Sequence, residues 1–330
     1  MTDLATTEAP AGGSALAETD GSTERLHRNL FIALAALLVV APFVAYPVFV
    51  MKVLCFALFA VAFNLLLGYG GLLSFGHAAY FGMASYISAY TAKQWGLTPE
   101  LAILLGTAVA ALLGTVFGAL AIRRQGIYFA MITLALAQMV YFFSLQTPRF
   151  TGGEDGIQAV PRGKFLGLVS LADDRALYWL VAAIFLGGVL MIYRIIHSPF
   201  GQVCKAIRDN EPRAISLGYR ANRYKLMVFV LSATFAGLAG ATKAIVFQLA
   251  SLTDVYWTMS GEVVLMTLVG GLGTVFGPLV GAAVIVAMQN YLASLGSWVL
   301  VVQGVIFVAC VLLFREGIVG VIAKAIRKPL

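Results

Sequence analysis

The chain has 330 residues, 61% hydrophobic and 11% charged, with a formal net charge of +7. Soluble domains carry about a quarter charged residues, so this composition excludes an ordinary water-soluble domain and places the chain in lipid. The surplus of cations is then read as loop charge under the positive-inside rule, not as a nucleic-acid surface.

Residues 1–28 hold Ala, Gly, Thr, Ser and acids without an apolar stretch, which predicts a disordered cytoplasmic tail and no secretory signal peptide. From there apolar runs predict spans at 29–47, 49–68, 72–90, 101–122, 126–146, 176–196, 226–249, 259–272, 276–294 and 298–314. The expected fold class is all-α: a polytopic membrane protein of about ten transmembrane helices over 29–315, followed by a cytoplasmic tail over 316–330. The eighth run is short, so a full span and a half-helix both remain open. Ten spans put both termini on one side. They also divide into two halves of opposite orientation, an inverted five-plus-five plan that transporters use.

Charge sets the orientation. With the N-terminus inside, the inner side receives Arg25, Arg28, Arg123, Arg124, Arg194, six cations of the 197–225 loop, Arg315, Lys324, Arg327 and Lys328. The outer side receives only Lys52, Lys93, Arg149, Arg162, Lys164 and Arg175. Both termini and the 197–225 loop are therefore expected in the cytoplasm, and the 147–175 loop outside.

SFGHAAYFGMAS, Ser74 to Ser85, sets small residues densely around one histidine. It reads either as close helix packing or as a polar point on a translocation path, with Ser74 and His77 at i, i+3 on one helix face. TGGEDGI, Thr151 to Ile157, is an acidic outer turn. Ala233, Gly237 and Ala241 repeat the small-residue spacing on the seventh span. Lys243 and Glu262 are ionisable groups within or at the edge of spans, where such groups are costly and usually functional. Either Lys243 snorkels outward and Glu262 meets water, or the two pair near an outer gate.

GGLGTVFGPLVG, Gly270 to Gly281, lacks the Gly-Lys-Ser or Gly-Lys-Thr ending of a P-loop, and Phe276 stands where a dinucleotide fingerprint needs its third glycine. Gly270, Gly271 and Gly273 then make either a tight cytoplasmic turn or a flexible element at an inner gate. Cys55, Cys204 and Cys310 have no paired spacing, and His27, His77 and His197 have no nucleophile arranged around them. No enzyme activity, metal or cofactor is expected in this chain.

CKAIRDNEPRAISLGYRANRYK, Cys204 to Lys225, reads either as a cytoplasmic loop that is basic only to enforce topology or as a structured coupling element. Asp209 and Asn210 are good helix caps, Glu211 suits the first turn, and Pro212 is tolerated there. Gly218 can close the helix in a left-handed conformation. A short capped helix with an apolar side suits docking in a groove on a partner.

IRDNEPRAISLGYRANRYKLMVFVLSATFAGLAGA resembles the cytoplasmic loop and following helix of branched-chain amino acid permease subunits of ATP-binding cassette importers. GYGGLLSFGHAAYFG, TGGEDGI, EVVLMTLVGGLGTVFGPLVGA and REGIVG are similar to further family segments, in family order. The general importer loop has Glu-Ala-Ala, three residues, then Gly. Here Pro212 and Arg213 replace the alanines, and Gly218 lies one residue further on. Leu72 stands where many relatives have Gln.

The resemblance implies a permease of the bacterial inner membrane that forms the translocation path with a homologous permease subunit. Arg208, Asp209, Asn210, Glu211, Arg213, Leu217 and Gly218 would couple it to two ATPase subunits, which bind ATP and Mg. A periplasmic or extracellular substrate-binding protein would deliver a branched-chain or related amino acid. An ion-coupled secondary transporter of small polar solutes is the alternative, with Glu262 and His77 as its only candidate relays.

Overall fold

A computed structural model describes residues 12–165, 167, 169–293, 296, 298, 301–302, 304–305, 308 and 317–326. The first helices are α1 (Gly12–Val44), α2 (Pro47–Asn64), α3 (His77–Gln94), α4 (Pro99–Ala121), α5 (Ile127–Gln146) and the short α6 (Pro148–Thr151). They are followed by α7 (Asp174–His197), α8 (Pro199–Asp209), α9 (Glu211–Ser216), α10 (Ala221–Phe247), α11 (Trp257–Gly270), α12 (Gly277–Tyr291) and α13 (Gly317–Ile326). Prolines at the starts of α2, α4, α8 and α12 sit where the first-turn amide has no helical partner. Six helices among the described residues are long and apolar enough to cross a bilayer: the His27–Val44 part of α1, α2 with its continuation to Tyr69, α4, α5, α7 and α10.

Of these six, α2 and α10 are the most buried and α1 the least. α10 packs on α2, α3 and α4. Its contact with α4 is a reciprocal ladder of small residues. A Cβ on Gly114 would lie 2.6 Å from the Ala233 side chain, one on Gly106 would lie 3.0 Å from Ala241, and one on Gly237 would meet Ala110. Ala233, Gly237 and Ala241 therefore have an antiparallel counterpart, Gly106–Ala110–Gly114, at the same four-residue spacing. With little hydrophobic gain from association inside lipid, such close approach supplies the packing energy.

Several sequence expectations are corrected. α3 begins at His77, not at 72, because Gly71 is left-handed (φ 69°) and residues 71–76 lie outside any helix. Ser74 and His77 therefore do not share a helix face. α11 and α12 have 14 and 15 residues, so each is about 21–23 Å long against a hydrocarbon core of about 30 Å. The expected tail over 1–28 is helical from Gly12, in line with the good helix formers Ala15, Leu16, Ala17 and Glu18 ahead of the apolar part of α1. His27 is buried there, with its ring 5.6 Å from that of Tyr193 and 5.8 Å from that of His197. Residues 1–11 and most of the 298–314 run lie outside those described. The 316–330 segment contains α13, which packs on α11 and α12.

The 147–175 loop is ordered by main-chain pairing. β1 (Ile157–Gln158) is antiparallel to β4 (Leu249–Ala250), with Ile157 opposite Ala250, and β2 (Lys164–Phe165) pairs with β3 (Val169–Ser170). Arg162 adds a 2.6 Å ion pair to Asp174 and a 3.1 Å hydrogen bond to the Val246 carbonyl. The end of α10 is thus tied to this loop.

Candidate functional site

At the other end of the bundle, α8, α9 and the start of α10 form a small module with its own apolar centre of Ile207, Ala214 and Ala221. Ser198 caps α8 by accepting from the Gly201 amide. Asn210 caps α9, its Oδ1 accepting from the Arg213 amide at 3.0 Å. Gly218, at φ 91°, closes α9: its amide donates to the Ile215 carbonyl at 2.9 Å, and the Tyr219 amide donates to Ala214 at 3.1 Å. That paired pattern is a Schellman closure, which needs a residue without a Cβ penalty at Gly218.

The loop's charges are spent largely within the chain. Glu211 accepts from the Lys225 ammonium at 2.7 Å and from the Gln125 amide at 3.1 Å, so it braces α9 against α10 and the α4–α5 turn. Arg208 donates from Nε and Nη2 to Asp209 Oδ1 at 2.9 and 2.8 Å, and from Nη1 to the Gly68 carbonyl at 2.5 Å. One turn earlier, the Lys205 ammonium lies 5.4 Å from the Tyr69 ring centre. Burial and then neighbouring Arg208 push the Lys205 pKa below its ordinary value, with Asp209 opposing. Arg213 is exposed, as are Ile215 and Leu217, the last with 71% of its surface in solvent. α9 therefore presents two aliphatic side chains outward while its polar groups anchor it.

The Arg208 contact continues inward. Gly68 belongs to a π-helical turn, Leu65–Tyr69, that ends α2. Such turns often mark functional points in helices. Asn64, one turn back, donates from Nδ2 to the Thr274 carbonyl at 2.8 Å and accepts at Oδ1 from the Gly273 amide at 3.1 Å. Both bonds need backbone groups that the 271–276 loop leaves unpaired, and Gly271 (φ 126°) and Gly273 (φ 73°) supply its unusual backbone. A Cβ on Gly68 would lie 2.7 Å from the Gly273 amide, so this close approach of the π-helical turn to the loop needs glycine at 68. Gly317, at the start of α13, packs against Gly271 from the other side. Gly270 closes α11 with its Cα against the Gly277 backbone. A continuous path thus runs from α9 through Arg208, Gly68 and Asn64 to the glycine loop between α11 and α12.

The remaining predicted residues lie elsewhere. Ser74 is buried and accepts from the Gly76 amide at 3.2 Å. His77 is fully buried, and its Nε2 lies 2.8 Å from the Ser232 hydroxyl. That hydroxyl donates to the Ala62 carbonyl at 2.6 Å, so it accepts from His77. Phe63, Tyr80 and Phe229 meet the imidazole edge-on at 4.9, 5.6 and 6.2 Å. His77 joins α3 to α2 and α10 in a packed core.

Lys243 does not pair with Glu262. Its ammonium binds Asp254 Oδ2 at 2.6 Å, with both side chains almost wholly buried. Asp254 closes a capping box with Ser251, whose amide it also accepts at 3.3 Å. Glu262 has Lys52 and the Gln289 side chain as its polar neighbours instead. The sequence carried one signal for this: Ser-Leu-Thr-Asp at 251–254 is a capping-box pattern, and Lys243 is the nearest buried cation. Gln125, Lys225 and Asn64 were also missed as a set, since nothing local links them to Glu211 or to the glycine loop. Among the described residues no cluster of His, Cys, Asp and Glu is arranged to hold a metal.

Comparison with known proteins adds independent findings. A family model described as the permease component of a branched-chain amino acid transport system matches residues 47–311. The high-affinity branched-chain amino acid transport system permease proteins LivM of Salmonella typhimurium and Escherichia coli are each 26% identical to this chain, over 91% of it and 76% of their own length. The ribose import permease protein RbsC of Bacillus subtilis is 29% identical over 67% of this chain and 70% of its own. No solved structure matches significantly.

Proposed function

The chain belongs to the branched-chain amino acid transport permease family, membrane subunits of ATP-binding cassette importers, and on that premise we propose how it works. It forms one half of a translocation path, a homologous permease chain forms the other, and two ATPase subunits bind ATP and Mg on its α9 side. A separate external protein delivers the solute to the opposite end. The substrate is a branched-chain or related amino acid, because the LivM likeness covers more of this chain than the ribose permease likeness does. With both termini cytoplasmic, the α9 end is the inner end, which agrees with its concentration of Lys and Arg.

One observation carries the reading: α9 is capped at both ends, exposes Ile215 and Leu217, and reaches the glycine loop through Arg208, Gly68 and Asn64. A surface built to dock a partner is joined by short polar contacts to backbone that can change its dihedrals. ATP acts only through the different affinity of the ATPases for the two states of this chain. An inverted five-plus-five arrangement of about ten spans gains support from α2 and α10. They are the most buried of the long spans, they hold equivalent second positions in the two halves, and each leads into an irregular segment before the next helix.

The test is co-purification of the partner ATPase in mild detergent. Wild type retains it, while Leu217→Asp and Ile215→Asp lose it without loss of folded permease. Retention by both variants would overturn α9 as the docking element.

A further inference from the structure

We propose that the groove between α8 and the first turns of α10 binds the phosphate headgroup of one anionic phospholipid. The groove has a volume of about 670 Å³ and is walled by Phe200 and Val203 on one side and Arg220, Arg223, Tyr224 and Met227 on the other. The Phe200 and Tyr224 rings stack across it, with centroids 5.8 Å apart and planes 24° apart. Tyr219 closes the end nearest α9, edge-on to Tyr224 at 6.1 Å.

Charge selects the occupant. Arg220 and Arg223 are both exposed, and among the described residues neither takes part in an ion pair. The acids of the preceding segment are already engaged, Asp209 by Arg208 and Glu211 by Lys225. Two unneutralised guanidinium groups beside stacked aromatic rings suit a phosphate, which arginine binds through paired donors.

Depth selects a lipid. α10 has 27 residues, about 40 Å of helix against a hydrocarbon core of about 30 Å, so its end turns project into the headgroup layer. Met227, one turn deeper than Arg223, is 52% exposed, where an acyl chain would lie. Basic pockets between spans at a membrane face are suited to anionic headgroups. An acidic protein surface would match the arginines but not the apolar Met227 below them. Because the groove ends at Gly218 and Tyr219, a bound lipid would brace the segment that closes α9.

The test uses the purified full-length chain without any ATPase, so its result is separate from the importer reading. Native mass spectrometry compares retention of phosphatidylglycerol and phosphatidylcholine by wild type, by Arg220→Gln with Arg223→Gln, and by Arg213→Gln, an exposed cation outside the groove. Thermal unfolding of each variant without lipid establishes that the fold is intact. Wild type and Arg213→Gln retain one tightly held phosphatidylglycerol, and the double variant binds it at least about tenfold more weakly. Equal retention by the double variant, or equal retention of phosphatidylcholine by wild type, would overturn the proposal. In a separate co-purification from membranes, loss of the ATPase by the double variant with undiminished lipid retention would also overturn it and assign the two arginines to the protein partner.

Discussion

The two ends of the helix bundle are closed by different means. At the Asp254 end, strand pairing of β1 with β4, a capping box and a buried Lys243–Asp254 ion pair fix the backbone through many mutually dependent bonds. At the α9 end, one asparagine ties α2 to the α11–α12 loop and one arginine ties α8 to the end of α2, set among glycines with left-handed or otherwise unusual φ values. The first arrangement resists partial opening, because breaking one contact leaves a buried charge behind. The second can exchange its few side-chain-to-backbone bonds for others at little cost. The difference teaches where movement is cheap, and α9 is attached to that end.

Four substitutions sharpen this contrast, from the largest effect to the smallest. Lys243→Ala strands Asp254 in a buried site and lowers stability by about 3–5 kcal/mol, read as a fall in Tm, whereas joint replacement by Lys243→Met and Asp254→Leu recovers most of the loss. Gly237→Val forces α10 from α4 at Ala110 and costs about 1–3 kcal/mol by the same measurement. Asn64→Ala removes two hydrogen bonds and costs about 1–2 kcal/mol in stability, yet it stops ATP-driven uptake, which Lys243→Ala and Gly237→Val affect only through folding. Gly218→Ala strains the α9 closure by about 1 kcal/mol, lowers Tm slightly and weakens ATPase retention. If Asn64→Ala proved as destabilising as Lys243→Ala, the contrast between the ends would collapse.

How much of this was legible in the sequence follows from how local each feature is. α9 was readable residue by residue, since Asn210, Glu211, Pro212 and Gly218 act within a few positions of themselves. The long spans were readable from transfer energetics. Hydropathy carries no information on dihedral angles, however, so the apolar run after Gly71 predicts helix although its backbone is irregular up to His77. Pairings across the fold were hidden for another reason. Lys243 sits near Glu262 in sequence, but the 252–254 turn brings Asp254 closer, and only the capping-box pattern hinted at an acid held in place there. The α4 partner of the Ala233–Gly237–Ala241 stripe was visible as Gly106–Ala110–Gly114, a match of spacing that becomes meaningful once the two helices are known to run antiparallel. Arg208 was recognised as part of the loop, but its reach to Gly68 depends on how α8 lies across the end of α2.

The central claim is that Arg208 transmits partner binding from α9 to the glycine loop, without itself making the docking surface. The most direct measurement reconstitutes wild type and Arg208→Ala with the partner ATPase in proteoliposomes and records ATP hydrolysis and solute uptake together. The account predicts that Arg208→Ala still retains the ATPase and hydrolyses ATP, while uptake per ATP falls at least about tenfold, the equivalent of about 1.4 kcal/mol of lost coupling. Unchanged uptake per ATP in a variant that assembles normally would contradict it.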